Sequence, residues 1–125
     1  MSTTPGHTMS KAGDLVRAFN HDTINTGDGW QYPPHAYDAI GSLAYLVRML
    51  PQAIEQSMRP VQRTHGEGRV TVDGGGTPGH AVEHLRTALA NAEAAAKLLG
   101  AALDHAHAAA SPLGLNTRGL PGFDD

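Results

Sequence analysis

Apolar residues recur at alternating spacings of three and four along two stretches of this chain. Over residues 35–64 the series is Ile40, Leu43, Val47, Leu50, Ile54 and Val61, with Ser57 in the slot between the last two. Over residues 78–110 it is Val82, Leu85, Leu89, Ala92, Ala96, Leu99, Leu103 and Ala106. That spacing lays an apolar stripe along one face of an α-helix. In the first stretch Tyr37, Ala44 and Met58 flank the stripe on one side, and Ala39, Leu46 and Ala53 on the other. The face is wider than a two-stranded seam and suits a helical bundle. In the second stretch a seven-residue row of Ala81, Ala88, Ala95 and Ala102 runs beside the stripe, and alanine there admits a partner helix at close range.

The boundaries follow from local chemistry. Thr77 is a natural N-cap, and Pro78 suits the first helical position because its missing N–H has no intrahelical acceptor there. Pro51 and Pro60 interrupt the first stretch; each removes a hydrogen bond and crowds the carbonyl four residues back. They predict a kink over residues 47–51 and fraying beyond Met58. A shorter helix is predicted over residues 11–20, capped by Ser10, with Leu15, Val16 and Phe19 on one face. Residues 65–77 hold five glycines and read as a mobile connection. The fold class is therefore all-α: a long antiparallel hairpin of residues 35–64 and 78–110, plus a short N-terminal helix. One helical domain is expected over residues 10–110. Residues 1–9 and 111–125, rich in Gly, Pro, Ser and Thr, are expected to be flexible tails.

Composition narrows the function. The chain has 125 residues, 40% hydrophobic and 17% charged, with a net charge of −3. It has no cysteine, which excludes disulfides, thiolate metal sites and thiol nucleophiles. No apolar run reaches the roughly 18 residues of a membrane span. The N-terminus lacks the basic and apolar pattern of a secretory signal, so a cytoplasmic location is expected. The acidic balance argues against a nucleic-acid partner.

Histidine is the one abundant reactive residue, with 8 copies. His80, Glu83 and His84 follow the H-x-x-E-H order of inverted zinc metallopeptidases, in which paired imidazoles hold zinc and a glutamate acts as base. On the phase set by Val82 and Leu89, however, His80 and His84 face water together. Exposed helix-surface histidines are the expectation, with adventitious metal uptake by the pair as the lesser alternative and no resident cofactor. His105 and His107 splay to different sides of their helix, and the expectation for both is a favourable charge near its C-terminus. Arg59 and His65 resemble the Arg-x(4–6)-His motif of the HEPN ribonucleases, which are helical domains of similar size. That resemblance implies an Arg and a His acting on a scissile phosphate in a cleft between two subunits. Trp30 and Tyr32, beside Pro33 and Pro34, are expected to plug the base of the adjoining helices.

The sequence thus predicts a small non-enzymatic helical interaction or adaptor protein. It would self-associate, or complete a bundle with another helical protein, through Ile40, Leu43, Val47, Leu50, Ile54, Val82, Leu85, Leu89, Leu99 and Leu103. The alternative is a small hydrolase, metal-assisted through His80, Glu83 and His84 or HEPN-like through Arg59 and His65.

Overall fold

The computed structural model describes residues 4–123. Among them the chain forms four helices and no strand: α1 (Pro5–Asp22), α2 (Pro33–Gln56), α3 (Arg59–Gly66) and α4 (Pro78–Ala110). The all-α class, the long hairpin and an N-terminal helix are all present. No described helix is long and apolar enough to cross a membrane.

The chain divides into two compact units. One combines residues 4–36 with residues 114–123, and the other is Tyr37–Leu113. The sequence division into residues 1–9, 10–110 and 111–125 does not coincide with these units.

In the first unit, α1 begins earlier than the pattern of Leu15, Val16 and Phe19 indicates. Thr4 is its N-cap, accepting a hydrogen bond from His7 N at 3.2 Å, and Pro5 occupies the first turn. α1 therefore takes in residues 5–9, which the composition assigns to a tail; residues 1–3 lie outside the described part. After α1 the chain turns tightly: Gly27 and Trp30 exchange both backbone hydrogen bonds, at 3.1 and 2.8 Å. This turn sets the Trp30 indole edge-on to Phe19, ring centroids 5.6 Å apart. The C-terminal stretch of residues 114–123 has no regular structure, yet it too is anchored. Phe123 packs edge-to-face on Tyr32 at 5.6 Å. Asn116 Oδ1 accepts from Arg118 N at 3.1 Å, the local side-chain closure that asparagine favours in turns.

The second unit is the hairpin. Residues 35–64 do not form one helix. α2 runs through Pro51 and stops at Gln56, and α3 restarts at Arg59. The break follows from Pro60, which has no N–H to give the Gln56 carbonyl. Ser57 reinforces it by turning its hydroxyl onto Ala53 O at 2.8 Å. α3 ends in a Schellman motif: Gly68 N donates to His65 O and Arg69 N to Thr64 O, both at 2.9 Å. Gly68 sits at φ 71°, the left-handed conformation that this closure requires and that glycine adopts at least cost. The antiparallel sense of α2 and α4 is fixed by three pairings. Tyr37 stacks on His107 with centroids 4.1 Å apart, Arg48 Nη2 meets Asp104 Oδ1 at 3.2 Å, and Val47 lies against Gly100.

The core is thin. Ala44, Val47, Met58, Val82, Ala96 and Ala110 are its buried apolar residues, and among the described residues no large side chain is fully buried. On α4 the row Val82, Leu89, Ala96, Leu103 and Ala110 turns inward, as the periodicity requires. The second inward row is not the expected Leu85, Ala92, Leu99 and Ala106. It is Glu93, Gly100 and His107, one residue further along, all half-buried. Gly100 admits Val47, whose Cγ1 lies 3.8 Å from where a Cβ would be, and His107 fits over Gly41. The seam is thus rotated by about a tenth of a turn to a quarter turn toward the more polar row, leaving the more apolar row outside.

Candidate functional site

The candidate residues fall into three places, and they behave differently. His80, Glu83 and His84 sit on the first two turns of α4. With Val72, Thr77 and Thr87 they line a shallow, open depression. All three are exposed. The glutamate is already engaged: Arg86 Nε donates to both of its carboxylate oxygens, at 3.0 and 3.1 Å. Imidazoles at i and i+4 can share an ion, but a structural or catalytic zinc needs a third protein ligand. Among the described residues no three His, Asp or Glu side chains converge to hold a metal. Glu83 and Arg86 form an exposed ion pair beside the two imidazoles.

Arg59 and His65 open and close α3, and both are exposed. Six residues on a helix of 3.6 per turn amount to one and two-thirds turns, so the two side chains leave the helix about 120° apart. The HEPN arrangement needs both on one phosphate. This hairpin alone does not present them that way.

The third place is apolar. Of the ten residues read from the stripes, Val47 and Val82 are buried in the hairpin, and Ile40, Leu50, Ile54, Leu89 and Leu103 are half-buried. Leu43, Leu85 and Leu99 are exposed, because the seam is rotated away from their rows. Tyr45, Met49 and Leu98 are exposed too, Leu98 at 74%. Every charged residue of α4, namely Glu83, Arg86, Glu93, Lys97 and Asp104, lies on the other side of the helix from the Ala81 row. Glu93 and Lys97 pair with each other at 3.5 Å. What remains is an uncharged apolar strip along α4.

Two histidines have structural roles that spacing alone did not reveal. His35 Nδ1 accepts from Gln31 N at 3.0 Å and from Tyr32 N at 3.1 Å, closing the entry to α2. That requires the neutral Nε2–H tautomer. The signal available was a polar acceptor at the third helical position, from which a side chain can reach back to the backbone N–H of the residue before the helix. His107 is not a solvated end charge but part of the α2–α4 seam, stacked on Tyr37. Trp30 and Tyr32 pack within their own unit, against Phe19 and Phe123 respectively. No protein-family model matches the chain, and neither a curated protein nor a solved structure shows significant similarity to it.

Proposed function

We propose that this protein is a non-enzymatic helical interaction module, whose hairpin is completed by further helices, most simply those of a second copy. The observation that carries the reading is the mismatch between core and surface. The hairpin fully buries no large side chain, while Leu43, Tyr45 and Met49 on α2 and Leu85, Leu98 and Leu99 on α4 stay in water. Burying apolar area is the main favourable term in folding and association, at about 25 cal/mol per Å². An all-α unit with this much uncovered surface gains by packing another helical pair against it. Nothing in the placement of His80, Glu83 and His84, or of Arg59 and His65, favours a hydrolase over this reading. A cytoplasmic setting is consistent with it.

Sedimentation equilibrium at tens of micromolar tests the proposal. A mass of at least two chains is expected. A single-chain mass across that range would remove self-association.

A further inference from the structure

We infer that the uncovered face of α4 is the self-association surface, and that two copies of α4 pair on it antiparallel about a two-fold axis passing between Glu93 and Ala94. The inference deepens the proposed self-association and rests on it. Ala81, Ala88, Ala95 and Ala102 form one outward row. Leu85, Ala92, Leu99 and Ala106 form the next. Together they alternate by four and three over seven steps, the spacing that keeps a seam on a partner helix.

The seam fits itself. Turned end over end about that axis, Leu85 meets the partner's Ala102, and Leu99 meets the partner's Ala88. Ala92 meets the partner's Ala95 beside the axis, and Ala81 meets the partner's Ala106 at each end. Each leucine thus faces an alanine, and the axis itself carries only alanine. Four of the eight layers set leucine against alanine and the other four set alanine against alanine, so the leucines interdigitate while the helices approach closely. A parallel pairing would set Leu85 on Leu85 and Leu99 on Leu99 and leave the alanine layers gapped.

Charge and area agree with an identical partner. None of the eight seam residues carries a charge, and the flank beside them holds His84, Asn91, Leu98 and His105. No formal charge is desolvated when two such faces meet, whereas a charged partner would find no counter-ion there. The seam from Ala81 to Ala106 is about 38 Å long, 25 steps of 1.5 Å. At the roughly 10 Å width of a helix, two copies bury on the order of 1,000 Å² once side-chain relief is included. That is near the lower limit for a specific interface and suits a dimer in the micromolar range.

The chain has no cysteine, so single thiols report the pairing cleanly. The test uses A81C and A106C, each alone and mixed, oxidised and resolved without reductant, with sedimentation of the unmodified protein alongside. Disulfide dimers are expected in the mixture and not from either variant alone, since like positions lie about 38 Å apart in the antiparallel pair. A92E, which sets a charge beside its copy at the axis, should raise the dimer dissociation constant at least tenfold with helix content unchanged. Efficient dimers from A81C alone would mean a parallel pair and overturn the register. A dimer by sedimentation with no cross-link in the mixture and no effect of A92E would overturn this face while leaving self-association standing. A single-chain mass would remove both.

Discussion

The imidazole of His107 occupies the space that a side chain at position 41 would need. A Cβ on Gly41 would lie 2.8 Å from His107 Nε2 and 3.3 Å from its Cδ2 and Cε1. The ring cannot move without disturbing its stack on Tyr37, 24° between planes. A glycine in mid-helix costs roughly 1 kcal/mol relative to alanine. Here that cost is set against a close aromatic contact.

The consequence is a substitution whose sign depends on its neighbour. In the wild-type background, G41A should destabilise by about 1 kcal/mol, the overpacking cost exceeding the propensity gain. With H107A already present, the same change should stabilise by several tenths of a kcal/mol or more. Urea unfolding of the four proteins in the cycle measures this coupling. Equal effects of G41A in both backgrounds would mean the two residues are not in contact.

The α4 seam gives a second prediction. Leu89 turns toward α2 and is half-buried, whereas Leu98, nine residues on, is 74% exposed. L89A should cost about 1–3 kcal/mol of hairpin stability, less than a fully buried leucine because part of its surface is already wet. L98A should stay within about 0.5 kcal/mol when measured at concentrations too low for association. The reverse order would place the seam on the other side of the helix.

These residues also show how far the sequence could be read. The start of α4 was legible because Thr77 and Pro78 are strong local signals, and its length followed from unbroken alanine-rich periodicity. The inward residues Val82, Leu89, Ala96 and Leu103 were legible as members of the three-and-four stripe, whereas Ala110, one heptad further on, was not read as part of it. The second row was not. Hydrophobicity ranks Leu85 and Leu99 above Glu93, Gly100 and His107. Yet Gly100 and His107 pack on α2, because Val47 and Gly41 offer them complementary shapes, and that complementarity lies in pairs of residues far apart in sequence. The same limit hid the start of α1. Thr4 and Pro5 form a capping signal like that of Thr77 and Pro78, but no apolar run follows to draw attention to it. The Arg59 and His65 pattern was visible as spacing, and only α3 shows that the two residues diverge.

The His35 cap yields a prediction confined to the first unit. Its Nδ1 satisfies two backbone donors at once, those of Gln31 and Tyr32. H35A leaves both to water and removes the ring tilted against Tyr32 at 5.6 Å. The loss should be about 1–2 kcal/mol, the range of a lost cap, and should fall on the segment that carries Trp30. Trp30 fluorescence should shift to the red and its quenching by iodide should rise. H35N, whose side-chain oxygen can also accept at a helix start, should recover part of the effect. An unchanged Trp30 signal in H35A would show that the cap does not order this turn.

The paired histidines of α4 supply the last prediction, and it separates a surface from a metal site. His80 and His84 are one turn apart, exposed, and share their depression with a glutamate already held by Arg86. Two imidazoles fill half of a tetrahedral shell, and water must fill the rest, so affinity for zinc or nickel is weak. The H80A/H84A double variant should therefore change unfolding free energy by no more than about 0.5 kcal/mol. The purified wild-type protein should carry well under one zinc per chain by elemental analysis after dialysis, and in a titration added Ni²⁺ should bind weakly to the wild type and not detectably to the double variant. Because His84 flanks the inferred α4 seam opposite the partner's His105, replacing it removes a polar group from the rim and should leave the dimer intact or slightly tighter. Stoichiometric zinc that survives chelation in the wild type and disappears in the double variant would establish a built metal site, overturn the surface reading and promote the hydrolase alternative.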